Sequence, residues 1–209
     1  MIAIRICRLL WTGWIVLWVL WALGTKQSRK RLDFGRALSY MIPTFAGACL
    51  IFGIRDDLPV AGFPMRLIPG AAWLMELGVI LTATGLLFAI WARAYLGRNW
   101  SGLVTVKVEH QLVRTGPYRL VRHPIYSGIV LATLGTAICR RHVWGFAGVA
   151  LMWLGFWLKS RLEERFMVQT FGAEYEDYRR STGALIPRLL YIRSLRFRRL
   201  SFTRGFSMS

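Results

Sequence analysis

One segment concentrates the residue types that do chemistry: His110-Gln-Leu-Val-Arg-Thr-Gly-Pro-Tyr-Arg-Leu-Val-Arg-His-Pro-Ile-Tyr-Ser-Gly128. Gly116-Pro117 signals a turn. Pro124 disfavours helix at His123 and suits the first turn of a following helix. His123 is therefore expected just before a helix start, and Tyr126 in its first turn. Backbone N–H groups at such a start, at the positive end of the helix dipole, suit an anionic group. Arg119 and Arg122 add positive charge, while Tyr118 and Tyr126 offer flat faces to a ring or a cation. A second stretch, Lys159-Ser-Arg-Leu-Glu-Glu-Arg165, places Lys159 and Glu163 on one helix face, and Arg161 and Arg165 likewise. A carboxylate at a membrane helix end, beside bases, could hold an ammonium group. The plainer reading is an ordinary i,i+4 ion pair. Beyond it, Phe171-Gly-Ala-Glu-Tyr-Glu-Asp-Tyr178 reads as an amphipathic helix after a Gly break, with a packing role for its two tyrosines.

Other chemistries lack support. No GxGxxG, Walker loop, HExxH or GxSxG occurs. His110, His123 and His142 are isolated from one another, and Cys7, Cys49 and Cys139 have no metal or redox spacing. Neither a metal site nor a disulfide scaffold is expected. Glu76 is the lone acid in a long apolar stretch. Such an intramembrane acid is a functional candidate, with a polar helix contact as the plainer alternative.

The elements that must position these residues follow from composition. The chain has 209 residues, 55% hydrophobic and 18% charged, with a net charge of +18. Soluble domains carry about 25% charge, so this chain is too apolar for most of them, and for disorder. The basic excess points to an anionic bilayer rather than to nucleic acid. Charges punctuate uncharged runs at 9–25, 37–54, 124–139 and 143–158, and 67–92 holds only Glu76. These predict an all-α integral membrane protein of about five transmembrane helices. The last two form a short helical hairpin. The polar stretches 93–123 and 159–187 flank it and meet as a cytosolic layer. The first run could serve instead as a signal peptide, but its four tryptophans and the basic run after it favour a span. With the N-terminus outside, 22 of the 28 Lys and Arg fall on the cytosolic side. Arg140-Arg141 is the discordant pair. Residues 1–92 are expected to form N-terminal membrane helices, 93–190 a catalytic core, and 191–209 a basic, lipid-skimming tail.

Taken together, Tyr95-Leu-Gly-Arg-Asn-Trp-Ser-Gly102, the His110–Gly128 run, Glu163-Glu164, Phe171-Gly-x-x-Tyr-x-x-Tyr178 and Pro187 resemble the isoprenylcysteine carboxyl methyltransferase family. That family is one of the integral-membrane methyltransferases, which include phospholipid methyltransferases. The resemblance covers about Ala92–Pro187 and implies S-adenosylmethionine as methyl donor. Carried over by position, it assigns cofactor binding to His110, Gln111, Leu112, Val113, Tyr118, His123, Pro124, Ile125 and Tyr126, with Glu163 closing the site. Lys159 stands where the family's substrate-handling arginine falls. It keeps the charge but lacks the carboxylate-matching fork. The implied acceptor is a lipophilic or prenylated molecule carrying a carboxylate, taken from the membrane. A phospholipid or small amine, or a thiol, is the alternative acceptor. The implied location is a bacterial inner membrane, with the site facing the cytosol. A transporter or assembly factor is the reading from another class. It would call for ionisable residues buried in several spans, and only Glu76 qualifies.

Overall fold

Backbone buried in hydrocarbon must satisfy its own hydrogen bonds, so uncharged runs of this length fold as helices. The computed structural model describes residues 2–23, 34–53, 67–97 and 112–188. Five long helices appear in it: α1 (Ile2–Leu23), α2 (Phe34–Ala48), α3 (Ala72–Leu96), α4 (Pro124–Arg140) and α5 (Val143–Phe171). A short α6 (Ala173–Ser181) follows. At Cys49–Gly53, α2 widens into a π turn, and with it forms an apolar stretch of 19 residues over Gly35–Gly53. Four of these helices are long and apolar enough to cross a membrane, and α4 is a shorter apolar helix. The architecture is that of an all-α integral membrane protein. A lone parallel bridge joins Val121 and Gly183.

The helices alternate in direction. At one end of the bundle Cys7 of α1 meets Cys139 of α4 (Sγ–Sγ 3.7 Å), and Arg140 donates to the Ile51 carbonyl. At the other end Arg93 of α3 lies 5.4 Å from the Trp21 ring, and Lys159 of α5 lies 5.5 Å from the Tyr40 ring. α3 packs along α4, and α2 along α5. Lipid supplies no hydrophobic drive between helices, so close packing of small residues must hold them. Gly85 and Gly128 do this where α3 crosses α4. A Cβ on either would fall 2.5 Å from the other's carbonyl oxygen. A buried polar cluster adds specificity. Trp11 Nε1 donates to Thr136 Oγ1 at 2.9 Å, and Thr82 Oγ1 lies within bonding distance of Thr136 Oγ1 (3.3 Å) and the Ala132 carbonyl (3.2 Å). It ties α1, α3 and α4 together.

The hairpin expected from residue 124 is present, and α5 runs on unbroken through Lys159–Arg165 to Phe171. Gly172 (φ 54°) then turns the chain into α6, as the Gly break predicts. Glu76 does not sit mid-span. It is exposed in the second turn of α3. Tyr191–Ser209 of the expected tail lie outside the described residues.

Candidate active site

The site forms where the start of α4 meets the polar end of α5. His123 occupies the position before α4, Pro124 its first turn, and Tyr126 follows, as the sequence predicts. The strand-like approach to α4 is fixed from outside. Arg122 N donates to the Gly183 carbonyl (2.8 Å) and His123 N to the Ala184 carbonyl (3.0 Å). Ser127 Oγ donates to the Leu185 carbonyl at 2.7 Å. The chain after α6 thus holds the first turn of α4 in register.

Two adjacent carboxylates of α5 receive this turn. The Tyr126 hydroxyl donates to Glu163 Oε1 at 2.6 Å. His123 Nδ1 lies 3.4 Å from Glu163 Oε2, and its Nε2 lies 3.3 Å from Glu164 Oε1. One imidazole therefore bridges both acids. A protonated ring, with a donor on each nitrogen, suits that position best. Burial pushes His123 down, but its bonds to Glu163 and Glu164 outweigh this and raise it above the ordinary histidine value. Arg122 places Nε (2.9 Å) and Nη2 (2.6 Å) on the same Glu164 oxygen. Its remaining nitrogen donates to the Arg179 and Thr182 carbonyls at the end of α6.

The two acids thus differ. Glu164 is nearly enclosed, 6% exposed at the side chain, and committed to Arg122. Glu163 is 17% exposed and meets Lys159 only at 4.0 Å. An ordinary ion pair does not account for its surroundings, because its shortest contact is to Tyr126. Aromatic rings continue from this point inward. His123 stacks on Tyr126 (centroids 5.5 Å apart, 6° between planes), and Tyr126 stacks on Phe156 (4.9 Å, 12°). Lys159 Nζ lies 5.2 Å from the Tyr126 ring and 5.5 Å from the Tyr40 ring. The result is a carboxylate bounded by aromatic faces, an arrangement able to hold an organic cation.

His123, Tyr126, Lys159 and Glu163 are thus brought together. Pro124 and Ile125 are buried beneath them. Tyr118 is buried as well. Its hydroxyl donates to the Ala92 carbonyl (3.3 Å) and its own carbonyl accepts from Tyr178. It locks the turn before α4 to α3 and α6. Leu112 and Val113 are half-buried, Val113 against the core. His110 and Gln111 lie outside the described residues. Arg122 does not offer free charge to a ligand, since Glu164 takes it. Tyr175 and Tyr178 pack edge to face at 5.9 Å, in keeping with a packing role. Tyr40 and Phe156 belong to the site's walls and carry no signal in sequence. Each sits in an apolar run whose spacing says only membrane helix.

The family model described as phospholipid methyltransferase matches residues 73–174. Protein-S-isoprenylcysteine O-methyltransferase A of Arabidopsis thaliana is 32% identical over 118 residues, 55% of this chain and 60% of that protein. The Saccharomyces cerevisiae protein-S-isoprenylcysteine O-methyltransferase is 32% identical over 114 residues, 53% of this chain and 48% of that protein. The chain thus aligns with roughly half the length of these enzymes. Similarity to the cobalt-zinc-cadmium resistance protein CzcN of Cupriavidus metallidurans extends further, at 32% identity over 174 residues, 80% of this chain and 68% of that protein. With the Arg-His-Pro-x-Tyr turn seated on the paired glutamates, these similarities establish the lineage: the chain belongs to the isoprenylcysteine carboxyl methyltransferase family of integral-membrane proteins.

Proposed function

We propose that this protein is an S-adenosylmethionine-dependent membrane methyltransferase acting on the carboxylate of a lipophilic, isoprenylcysteine-like acceptor. The observation that carries the reading is Glu163, buffered by Tyr126 and His123 yet still partly open, beside a stack of aromatic rings. When bound, S-adenosylmethionine supplies an electrophilic methyl group on a sulfonium. The residues present fit it. Glu163 would accept from its ammonium, Tyr126 and His123 would hold that carboxylate in place, and the aromatic faces would favour positive charge. Leu112 and Val113 would line the site on the loop side, and the resemblance assigns His110 and Gln111 to the same donor. An attacking carboxylate needs little acid or base help, so alignment and exclusion of water carry most of the rate.

Lys159 is the residue placed to meet the acceptor. Its ammonium stands one helical turn before Glu163, between Tyr40 and Tyr126. A cation there orients an incoming carboxylate and offsets the repulsion between two anions sharing one site. The second reading, a lipid amine as acceptor, draws on the phospholipid methyltransferase description of the matched family. An amine must lose a proton before attack, and a neighbouring cation would hinder it. The variants Lys159→Met and Lys159→Arg separate the two, assayed with a farnesylated cysteine analogue and with phosphatidylethanolamine. The carboxylate reading expects Lys159→Met to lose turnover on the prenylcysteine by at least tenfold with donor affinity kept, and Lys159→Arg to retain it. Full activity of Lys159→Met on that substrate overturns the carboxylate role. We place the site on the cytosolic face of the membrane, on the strength of the loop charges.

A further inference from the structure

Cys7 of α1 and Cys139 of α4 lie 132 residues apart, a separation that no local motif reveals, yet the fold brings their sulfurs to 3.7 Å. Both are free thiols, buried to 2% exposure. The Cys7 thiol donates to Cys139 Sγ, and Cys139 donates to the Met75 carbonyl at 3.5 Å. Opposite them on α3, Gly78 makes room for the second sulfur, since a Cβ there would fall 2.6 Å from Cys139 Sγ. The methyl-transfer reading uses neither thiol, because Glu163 and Lys159 lie at the other end of the bundle. The pair is not sealed off. Both cysteines line a cavity of about 630 Å³ between α1, α2, α4 and α5. Its walls are largely apolar, with Trp11, Ile15, Phe52, Ile129 and Met152.

We propose that Cys7 and Cys139 form a redox-active dithiol that reduces a lipophilic organic hydroperoxide admitted to this cavity, acquiring a disulfide that joins α1 to α4. Three observations carry this. The sulfurs are already in contact, so closing them to a bond of about 2.05 Å takes a shift of under about 2 Å. Whichever thiol ionises first, the other is placed to donate to it, which favours the reactive thiolate. The cavity that reaches them is a poor host for water, and the bilayer around it supplies apolar molecules. In the first step one thiolate attacks a peroxide oxygen, the O–O bond breaks, and the alcohol leaves with the thiol's proton. The sulfur is then a sulfenic acid. In the second step the other thiol attacks that sulfur, the S–S bond forms, the S–O bond breaks, and water leaves. Two thiols and one hydroperoxide thus give one disulfide, one alcohol and one water, with two electrons passing from sulfur to oxygen. On the orientation proposed from the loop charges, this end of the bundle faces away from the cytosol, where a disulfide persists.

The test uses the full chain carrying Cys49→Ser, which removes the exposed third thiol. The reduced protein in mild detergent is treated with cumene hydroperoxide or with hydrogen peroxide, and its peptides are read by mass spectrometry. Cys7 is expected to be linked to Cys139 within one chain, reversibly by dithiothreitol, with one cumyl alcohol released per disulfide. The link should form at least tenfold faster with the apolar peroxide. Thr12→Trp, at an exposed position that lines the cavity, should slow the cumene hydroperoxide reaction at least threefold and leave the hydrogen peroxide rate within twofold. That variant separates entry through the cavity from enrichment of the peroxide in the micelle. Absence of the linked peptide, a link formed only between chains, equal rates with the two peroxides, or an unchanged rate in Thr12→Trp each overturns the proposal.

Discussion

His123 has an unusual burden for one side chain, because it neutralises parts of two carboxylates at once. Its folded-state value is raised relative to the unfolded chain, so its stabilisation is complete below the unfolded value near 6.5. That contribution is lost as pH rises through the higher folded value. Thermal stability in detergent should therefore fall as pH climbs above about 6.5, with His123→Gln flattening the dependence. A pH-independent wild-type midpoint across that window would contradict the bridging role. Tyr126→Phe keeps the stacked ring and removes one hydrogen bond to a carboxylate. It should weaken donor binding by about 1.5–3 kcal/mol, read by calorimetry, without loss of folding. At this scale the sequence was informative in part. His123 and Tyr126 were legible because Pro124 fixes where a helix must begin. The bond from the Tyr118 hydroxyl to the Ala92 carbonyl was not legible, since spacing alone does not say which helix a buried ring will meet. The pairing of Arg122 is equally invisible in the sequence, as its partner Glu164 lies 42 residues on and meets it only through the fold.

The helices themselves were readable from charge punctuation, and their contacts were not. Apolar runs reveal that a segment is buried in lipid or protein, but the pairing of α3 with α4 depends on glycines whose spacing matters only once the partner is known. Gly128 is the sharpest case. Its substitution Gly128→Leu would drive a side chain into the Gly85 carbonyl and the Ala89 backbone. Loss of at least about 3 kcal/mol is expected, seen as a large drop in midpoint or in recovery of folded protein. Gly13→Ala in α1 is the matched control, because nothing lies within 4 Å of a Cβ there. It should be neutral to mildly stabilising. Comparable losses in both would mean that the close crossing of α3 and α4 does not hold the fold. The segment after α6 is a second case. Its hydrogen bonds to Arg122, His123 and Ser127 make a loop far along the chain responsible for the position of the site's first turn.

For the molecule as a whole, the proposed orientation puts α1, α3 and α5 descending toward the cytosol and α2 and α4 ascending. Cysteine labelling in intact cells, in a background lacking Cys49, checks it. Ser28→Cys and Ser209→Cys should resist an impermeant reagent from outside, and Leu67→Cys should react. The reverse pattern would invert the assignment.

The most direct test of the account is calorimetric titration of S-adenosylmethionine into the detergent-solubilised protein and into Glu163→Gln. This substitution keeps the side chain's size and removes its charge. Saturable binding by the wild type is expected, weakened by about 1.5–3 kcal/mol in the variant, roughly ten- to more than a hundredfold in affinity. Equal affinity in the two folded proteins would contradict it, and would return Glu163 to the role of an ion-pair partner for Lys159 and His123.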